Sequence, residues 1–203
     1  MTTVCWMDTS ALDLARLTPT IPLWRREKIG QYRFDKDKRL SLGASLLLAQ
    51  CGVADEIACA EHGKPYFLHR ADVRFSLSHS GTVAVCAFSG HEIGCDIEQI
   101  DQRHLSLADR CLTPREKDFL AQSDDPARTF TRFWVCKESV MKYTGLGLSL
   151  PPWEIEIDLE HGTWENCRLR EFSDIEGYCL ALCAEKAQDE RASLIQIGQK
   201  GTI

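Results

Sequence analysis

The chain has 203 residues, a formal net charge of −6 and an ordinary mixture of 44% hydrophobic and 27% charged residues, which suits a soluble globular protein with room for one large domain or two small ones. The acidic balance argues against broad nucleic-acid binding, and no apolar run is long enough to span a bilayer, so nucleic acid and membrane are both set aside as partners. The start, "MTTVCWMDTSALDL", has neither a basic opening nor an apolar run, so no signal peptide is expected, and the ten cysteines, with no CxxC among them, are read as buried free thiols in a reducing cytoplasm rather than as a disulfide framework or a zinc site.

In chain order, a short strand is expected at Val4–Met7. A helix is expected from about Leu23 into the middle fifties, interrupted near Asp35, basic in "RREKIGQYRFDKDKR", apolar in "LSLGASLLLAQCG" and stopped by Gly52. Gly63-Lys64-Pro65 reads as a turn. "VRFSLSHSG" alternates apolar with polar, as a half-buried strand does, and "TVAVCAFSGHEIGCDIE" reads as an antiparallel hairpin turning at Ser89-Gly90. Thr113, Pro114 and Glu116 form a capping box that opens a short helix. Asp124-Asp125-Pro126 opens a longer one, "ARTFTRFWVCKESVMKYT", closed by Gly145. "GLGLSLPPW" reads as a loop, and "WEIEIDLEHGTWENCRLREF" and "GYCLALCAEK" read as strands with turns at His161-Gly162 and around 174–177. Each half thus gives a helix followed by strands, and "VAVCAF" and "CLALCA" echo each other. The expected fold is α+β: two similar α/β lobes related by a pseudo-twofold, each a helix packed on a small, mainly antiparallel sheet, divided after Glu98 into residues 1–98 and 99–203.

Asp96 and Glu98, two apart on a strand, point to the same face. Two like charges there repel unless a cation separates them, and a D-x-E triplet offers a hard cation such as Mg²⁺ two oxygen ligands on one rigid element. Read alone, the triplet is better explained as two solvent-facing carboxylates. On the long helix, Trp134, Glu138 and Lys142 fall at i, i+4 and i+8, with Lys137 beside them; read alone, Glu138 and Lys142 are an ordinary helical ion pair. Yet Phe130, Phe133, Val140 and Met141 make the helix look largely buried, and charges on a buried helix need partners. A third carboxylate and two lysines are what a metal-bound pyrophosphate would want. Gly63-Lys64-Pro65, Ser78-His79-Ser80 and the basic Arg25, Lys28 and Arg39 could hold the rest of a phosphorylated substrate, although singly each has a plain alternative: a turn, a structural histidine, a solvated helix face.

The ordered set GKP, FSLSHS, G-x-D-x-E and F-W-x-x-K-E-x-x-x-K, followed by G-x-G-L, resembles the 4′-phosphopantetheinyl transferases, in particular the larger, Sfp-like, pseudo-dimeric class. The resemblance runs from about Arg25 to Leu148. It implies transfer of 4′-phosphopantetheine from coenzyme A to a serine of an apo acyl or peptidyl carrier protein, leaving 3′,5′-ADP. It also implies Mg²⁺ held by Asp96, Glu98 and Glu138, with Mn²⁺ suited to the same oxygens. Glu138 is implied as the base and, with Lys142, as catalytic. Lys28, Arg39, Lys64, Pro65, Ser78, His79, Lys137 and Lys142 are implied to bind coenzyme A at the lobe interface. A cytoplasmic monomer serving fatty-acid, polyketide or nonribosomal-peptide synthesis follows, with "HLSLADRCLTPREKDFLA" as the carrier-docking segment. The competing readings are a non-enzymatic module binding coenzyme A or a carrier protein, and another metal-dependent phosphoesterase.

Overall fold

The computed structural model describes residues 2–50, 52, 55–188 and 192–197. The chain opens with β1 (Thr2–Asp8), a single turn α1 (Leu14–Leu17), and two helices, α2 (Leu23–Gly30) and α3 (Asp35–Ala49). The break expected near Asp35 is therefore real. Asp35 and Asp37 sit in the first turn of α3, where their charge complements the helix dipole. A small hairpin, β2 (Ile57–Cys59) and β3 (Pro65–Phe67), turns through Gly63 at φ +84. β4 (Arg74–Ser80), β5 (Val83–Ser89) and β6 (Ile93–Gln99) follow.

After β6 come α4 (Ala108–Cys111), α5 (Pro114–Ala121) and α6 (Pro126–Thr144), then β7 (Thr163–Trp164), β8 (Cys167–Phe172), β9 (Tyr178–Glu185) and β10 (Ala192–Gln196). The capping box holds: Thr113 Oγ1 accepts from the Glu116 N–H, and the Glu116 carboxylate accepts from the Thr113 N–H. α6 is capped by the Asp125 side chain and closed by Gly145 in the left-handed conformation at φ +73, as its flanking residues predict. Among the described residues no helix is long and apolar enough to cross a membrane.

Two four-stranded sheets carry the fold, in the orders β10-β1-β5-β4 and β6-β9-β8-β7. The first has one parallel pair, β1 with β10, and the second is antiparallel throughout. Within them β1, α3, β4 and β5 repeat as β6, α6, β8 and β9, with the third strand's place between the other two taken by β5 in one sheet and by β9 in the other. The α+β class with two similar halves is thus the fold observed. The echoing segments are those two central strands. Ala84, Cys86 and Phe88 of β5 pack with α3, while Val83, Val85 and Ala87 meet Ile93, Ile97, Leu180 and Leu182 of the other sheet. On β9, Cys179, Ala181 and Cys183 pack against α6. Burial on both faces is why each strand reads as a continuous apolar run.

Two expectations are corrected. β5 and β6 do not form a hairpin: β1 and β4 occupy both edges of β5, so residues 90–92 carry the chain across to the second sheet, where β6 pairs with β9. A division after Glu98 would consequently separate β6 from the sheet it completes. The stretch "WEIEID" is not a strand either. Ile155 and Ile157 are buried and Glu154 and Glu156 exposed, so the alternation is genuine, but residues 152–154 form a 3-10 turn and only Asp158, at the end of the stretch, makes a lone bridge to Thr163 of β7.

Gly94 explains how α6 lies so close on β6. A Cβ there would stand 2.0 Å from the Ser139 carbonyl oxygen and 2.4 Å from the Tyr143 nitrogen, both backbone atoms of α6. Gly94→Ala is expected to cost about 1–3 kcal/mol of stability through this overpacking, measured as a lowered urea midpoint.

Candidate active site

β6 presents Asp96 and Glu98, and α6 presents Glu138 and Lys142 on successive turns of the face lying over β6. Asp96 is buried at 3% exposure. Its Oδ1 accepts two hydrogen bonds, from Ser78 Oγ at 2.6 Å and from Lys142 Nζ at 2.7 Å. Its Oδ2 is buried and has no hydrogen-bond partner. Glu98 accepts from Ser80 Oγ through Oε2 at 2.6 Å. Burial, with the charge of Asp96 added, raises the Glu98 carboxyl above its ordinary range, although the Ser80 hydrogen bond opposes this. Glu138 is raised too, by burial first and then by the charges of Asp96 and Glu98. Burial works to lower the Lys142 ammonium, but Asp96 overcomes it and the pKa moves up.

The positive charge that the D-x-E pair demands is therefore supplied in part by the protein itself, from Lys142. One cation against three carboxylates leaves the cluster short of positive charge. The orphaned Asp96 Oδ2 is a hard oxygen donor without a donor facing it, and such a set fits a divalent cation. The oxygens of Asp96, Glu98 and Glu138 stand wider apart than the only trio of such ligand atoms lying within 4.8 Å of one another among the described residues, Asp158, Glu160 and His161. That second trio is held by its own turn, with His161 Nδ1 at 2.9 Å from Asp158 Oδ2.

Two cavities flank the cluster, and Lys142 lines both. One, of about 280 Å³, is walled by Arg25, Lys28, Tyr32, Ser78 and His79. Desolvation in this wall lowers the pKa of Arg25 and of His79, and the Lys142 charge lowers His79 further. The other, of about 190 Å³, is walled by His62, Lys64, Pro65, Phe75, Met141 and Gly145 among others. Lys64 does not point a free ammonium into it: its Nζ reaches Glu92 at 2.7 Å and the Tyr143 carbonyl at the end of α6 at 2.9 Å. A further cavity, of about 700 Å³, lies between α5, the start of α6 and residues 157–160, and holds none of the expected site residues.

Two expected ligands of coenzyme A lie outside this arrangement. Lys137 is fully buried on another side of α6, ion-paired with Glu116 Oε2 at 2.7 Å and donating to the carbonyls of Pro152, at 2.8 Å, and Ile155. Burial lowers its pKa and the Glu116 partner opposes this. Lys137 lines neither cavity, which sets it apart from the pyrophosphate site expected for it. Arg39 donates through Nε to the Leu12 carbonyl at 3.2 Å and lines neither cavity. The residues that sequence reasoning left without a role are Tyr32 and Glu92, while Ser80, grouped there with Ser78 and His79 for a phosphorylated substrate, is engaged with Glu98 instead. The signal for that engagement is the alternation Ser76, Ser78, Ser80 on one strand face.

A family model described as the 4′-phosphopantetheinyl transferase superfamily matches residues 92–193, beginning immediately before β6. A 4′-phosphopantetheinyl transferase of Bacillus subtilis is 30% identical over 195 residues, covering 86% of this chain and 87% of that protein. The 4′-phosphopantetheinyl transferase Sfp of Bacillus subtilis strain 168 is 30% identical over 180 residues, covering 79% and 80%. The holo-[acyl-carrier-protein] synthase of Thermotoga maritima superposes at a TM-score of 0.40 and 17% identity, over 45% of this chain and 61% of that one.

Proposed function

This chain belongs to the 4′-phosphopantetheinyl transferase superfamily and moves the 4′-phosphopantetheine group of coenzyme A to a carrier protein, and we propose that it does so with a divalent cation, Mg²⁺ in the first place, held by Asp96, Glu98 and Glu138. The observation that carries this reading is the buried Asp96 Oδ2 with no partner, beside two further carboxylates whose pKa values are raised. When bound, the cation supplies Lewis-acid stabilisation of pyrophosphate oxygens. Coenzyme A lies across the two cavities, with Lys28, Ser78 and His79 on one side and Lys64 and Pro65 on the other. The carrier serine attacks the β-phosphorus, the bond to the bridging oxygen breaks, and 3′,5′-ADP leaves. Glu138 accepts the serine proton, a task for which a raised carboxyl pKa is suited. Lys142 neutralises charge on the phosphoryl oxygens from the seam between the cavities.

The lobe boundary is best placed at residues 90–92, where the chain passes between the sheets. A chain with both halves in one polypeptide suits a monomer, and we place it in the cytoplasm, serving acyl or peptidyl carriers of fatty-acid, polyketide or nonribosomal-peptide synthesis, which dock on the 104–121 segment.

Intact-protein mass spectrometry tests the metal. An apo carrier incubated with the enzyme, coenzyme A and Mg²⁺ should gain one phosphopantetheine, and a parallel reaction with EDTA should leave it unmodified. Equal modification in EDTA would remove the metal from the mechanism. The raised carboxyls give a second check. The native state binds these protons more tightly than the unfolded chain, so the metal-free protein gains stability as pH falls through the raised values, whereas bound cation requires the carboxylates ionised. The rise in melting temperature produced by Mg²⁺ should therefore shrink on acidification, and Glu138→Gln should flatten that dependence.

A further inference from the structure

β4 and β6 run side by side, one from each sheet, with no backbone ladder between them among the described residues. What joins them is a line of serines. Ser76, Ser78 and Ser80 alternate along β4 and face one way. Ser76 Oγ accepts from the Cys95 N–H at 2.9 Å, and the Ser76 carbonyl accepts from the Cys95 thiol at 3.2 Å. Ser78 donates to Asp96, and Ser80 donates to Glu98, each at 2.6 Å and each across 18 residues of sequence. The strands are keyed by side chains in a register that sets one serine against each carboxylate.

Ser80 is the more constrained of the two donors. Its Oγ also accepts from the Gln99 N–H at 3.0 Å. A hydroxyl has a single proton, and with the amide donating to the oxygen that proton is directed to Glu98 Oε2. Asp96 is treated in the same way: Ser78 and Lys142 both take Oδ1, and Oδ2 is left over. Each carboxylate is gripped by one oxygen while its other oxygen stays outside the grip.

We propose that Ser80 is a positioning residue for the cation site: it holds Glu98 through Oε2 so that Oε1 is presented to the metal, as Ser78 and Lys142 hold Asp96 to present Oδ2. This rests on the metal reading above. Partners of this kind around a ligand typically govern metal affinity by about 10- to 100-fold.

The test is Mn²⁺ binding to the whole chain, followed by electron paramagnetic resonance without coenzyme A or carrier, for the parent, Ser80→Ala and Ser80→Thr. Ser80→Ala is expected to weaken Mn²⁺ about 10- to 100-fold, and Ser80→Thr, which keeps the hydroxyl, to bind close to the parent. The urea midpoint of the metal-free protein should stay near the parent's in both, because the Gln99 N–H released in the alanine variant is exposed and can bond to water. Parent-like Mn²⁺ affinity in Ser80→Ala overturns the proposal, as does a loss that threonine does not restore or that follows a matching fall in the urea midpoint. A parent chain that binds no Mn²⁺ overturns the metal reading itself and this inference with it, a result separable from the others.

Discussion

Asp96→Asn is expected to lower transfer to a carrier protein by about a hundredfold to a thousandfold while leaving the fold in place. Asparagine has the shape of aspartate. Its carbonyl oxygen can still accept from Ser78 and Lys142, the two donors that now share Oδ1. Its amide nitrogen takes the place of the unpartnered Oδ2 and cannot ligate a cation. Several kcal/mol of transition-state stabilisation come from a catalytic metal, and each ~1.4 kcal/mol is a tenfold change in rate. Alanine is the less clean choice, because it would leave the half-buried Lys142 ammonium without its carboxylate and mix a folding defect into the rate. The measurement is the initial rate of carrier modification at saturating coenzyme A, beside Mn²⁺ titration of the same protein. Full activity in Asp96→Asn would sink the metal assignment.

Lys137→Met should have the opposite signature: stability falls by about 3–5 kcal/mol, and the folded molecules keep their transfer rate. The reason lies in what Lys137 and Glu116 do together. Glu116 accepts from the Thr113 N–H and the Ile157 N–H, at 2.8 Å each, and pairs with Lys137. Lys137 in turn donates to the carbonyls of Pro152 and Ile155. Between them the two side chains meet the Pro152 and Ile155 carbonyls and the Ile157 N–H of a segment that opens as a 3-10 turn, part of what a neighbouring strand would otherwise do. Methionine keeps the volume but removes the charge, leaving the buried Glu116 carboxylate without its counter-ion and the Ile155 carbonyl without the Lys137 donor. Equilibrium urea unfolding gives the stability, and rate per folded molecule gives the function. A Lys137→Met protein as stable as the parent but inactive would return Lys137 to the catalytic machinery.

That pair also shows where sequence reading stopped. Helix ends were legible because they are local: Thr113 and Glu116, Asp125 and Gly145 act within a few residues of each other. The stripe Trp134, Glu138, Lys142 already separated Lys142 from Lys137 by helical geometry, and the structure keeps that separation. Residues 154–157 alternate as a strand does, since burial sets alternation, but strand identity depends on a partner, and here there is one bridge, from Asp158 to Thr163, with the Lys137 and Glu116 side chains meeting backbone groups before it. The same applies to β6. Nothing local says that Ile93–Gln99 pairs with a strand some eighty residues later rather than with β5 just before it. The carboxylates were legible as residue types. Their serine donors were legible only as an alternation whose purpose appears once β4 lies beside β6.

The side-chain seam between β4 and β6 has a consequence for dissection of the molecule. A chain cut within 90–92 keeps each four-stranded sheet's central strand with its own helix, but it parts Ser78 and Ser80 from Asp96 and Glu98. Neither fragment alone can assemble the carboxylate cluster with its donors. Mixed together, the two pieces have an apolar interface and three matching serine contacts by which to find their alignment, which makes transferase activity a readout for fragment complementation.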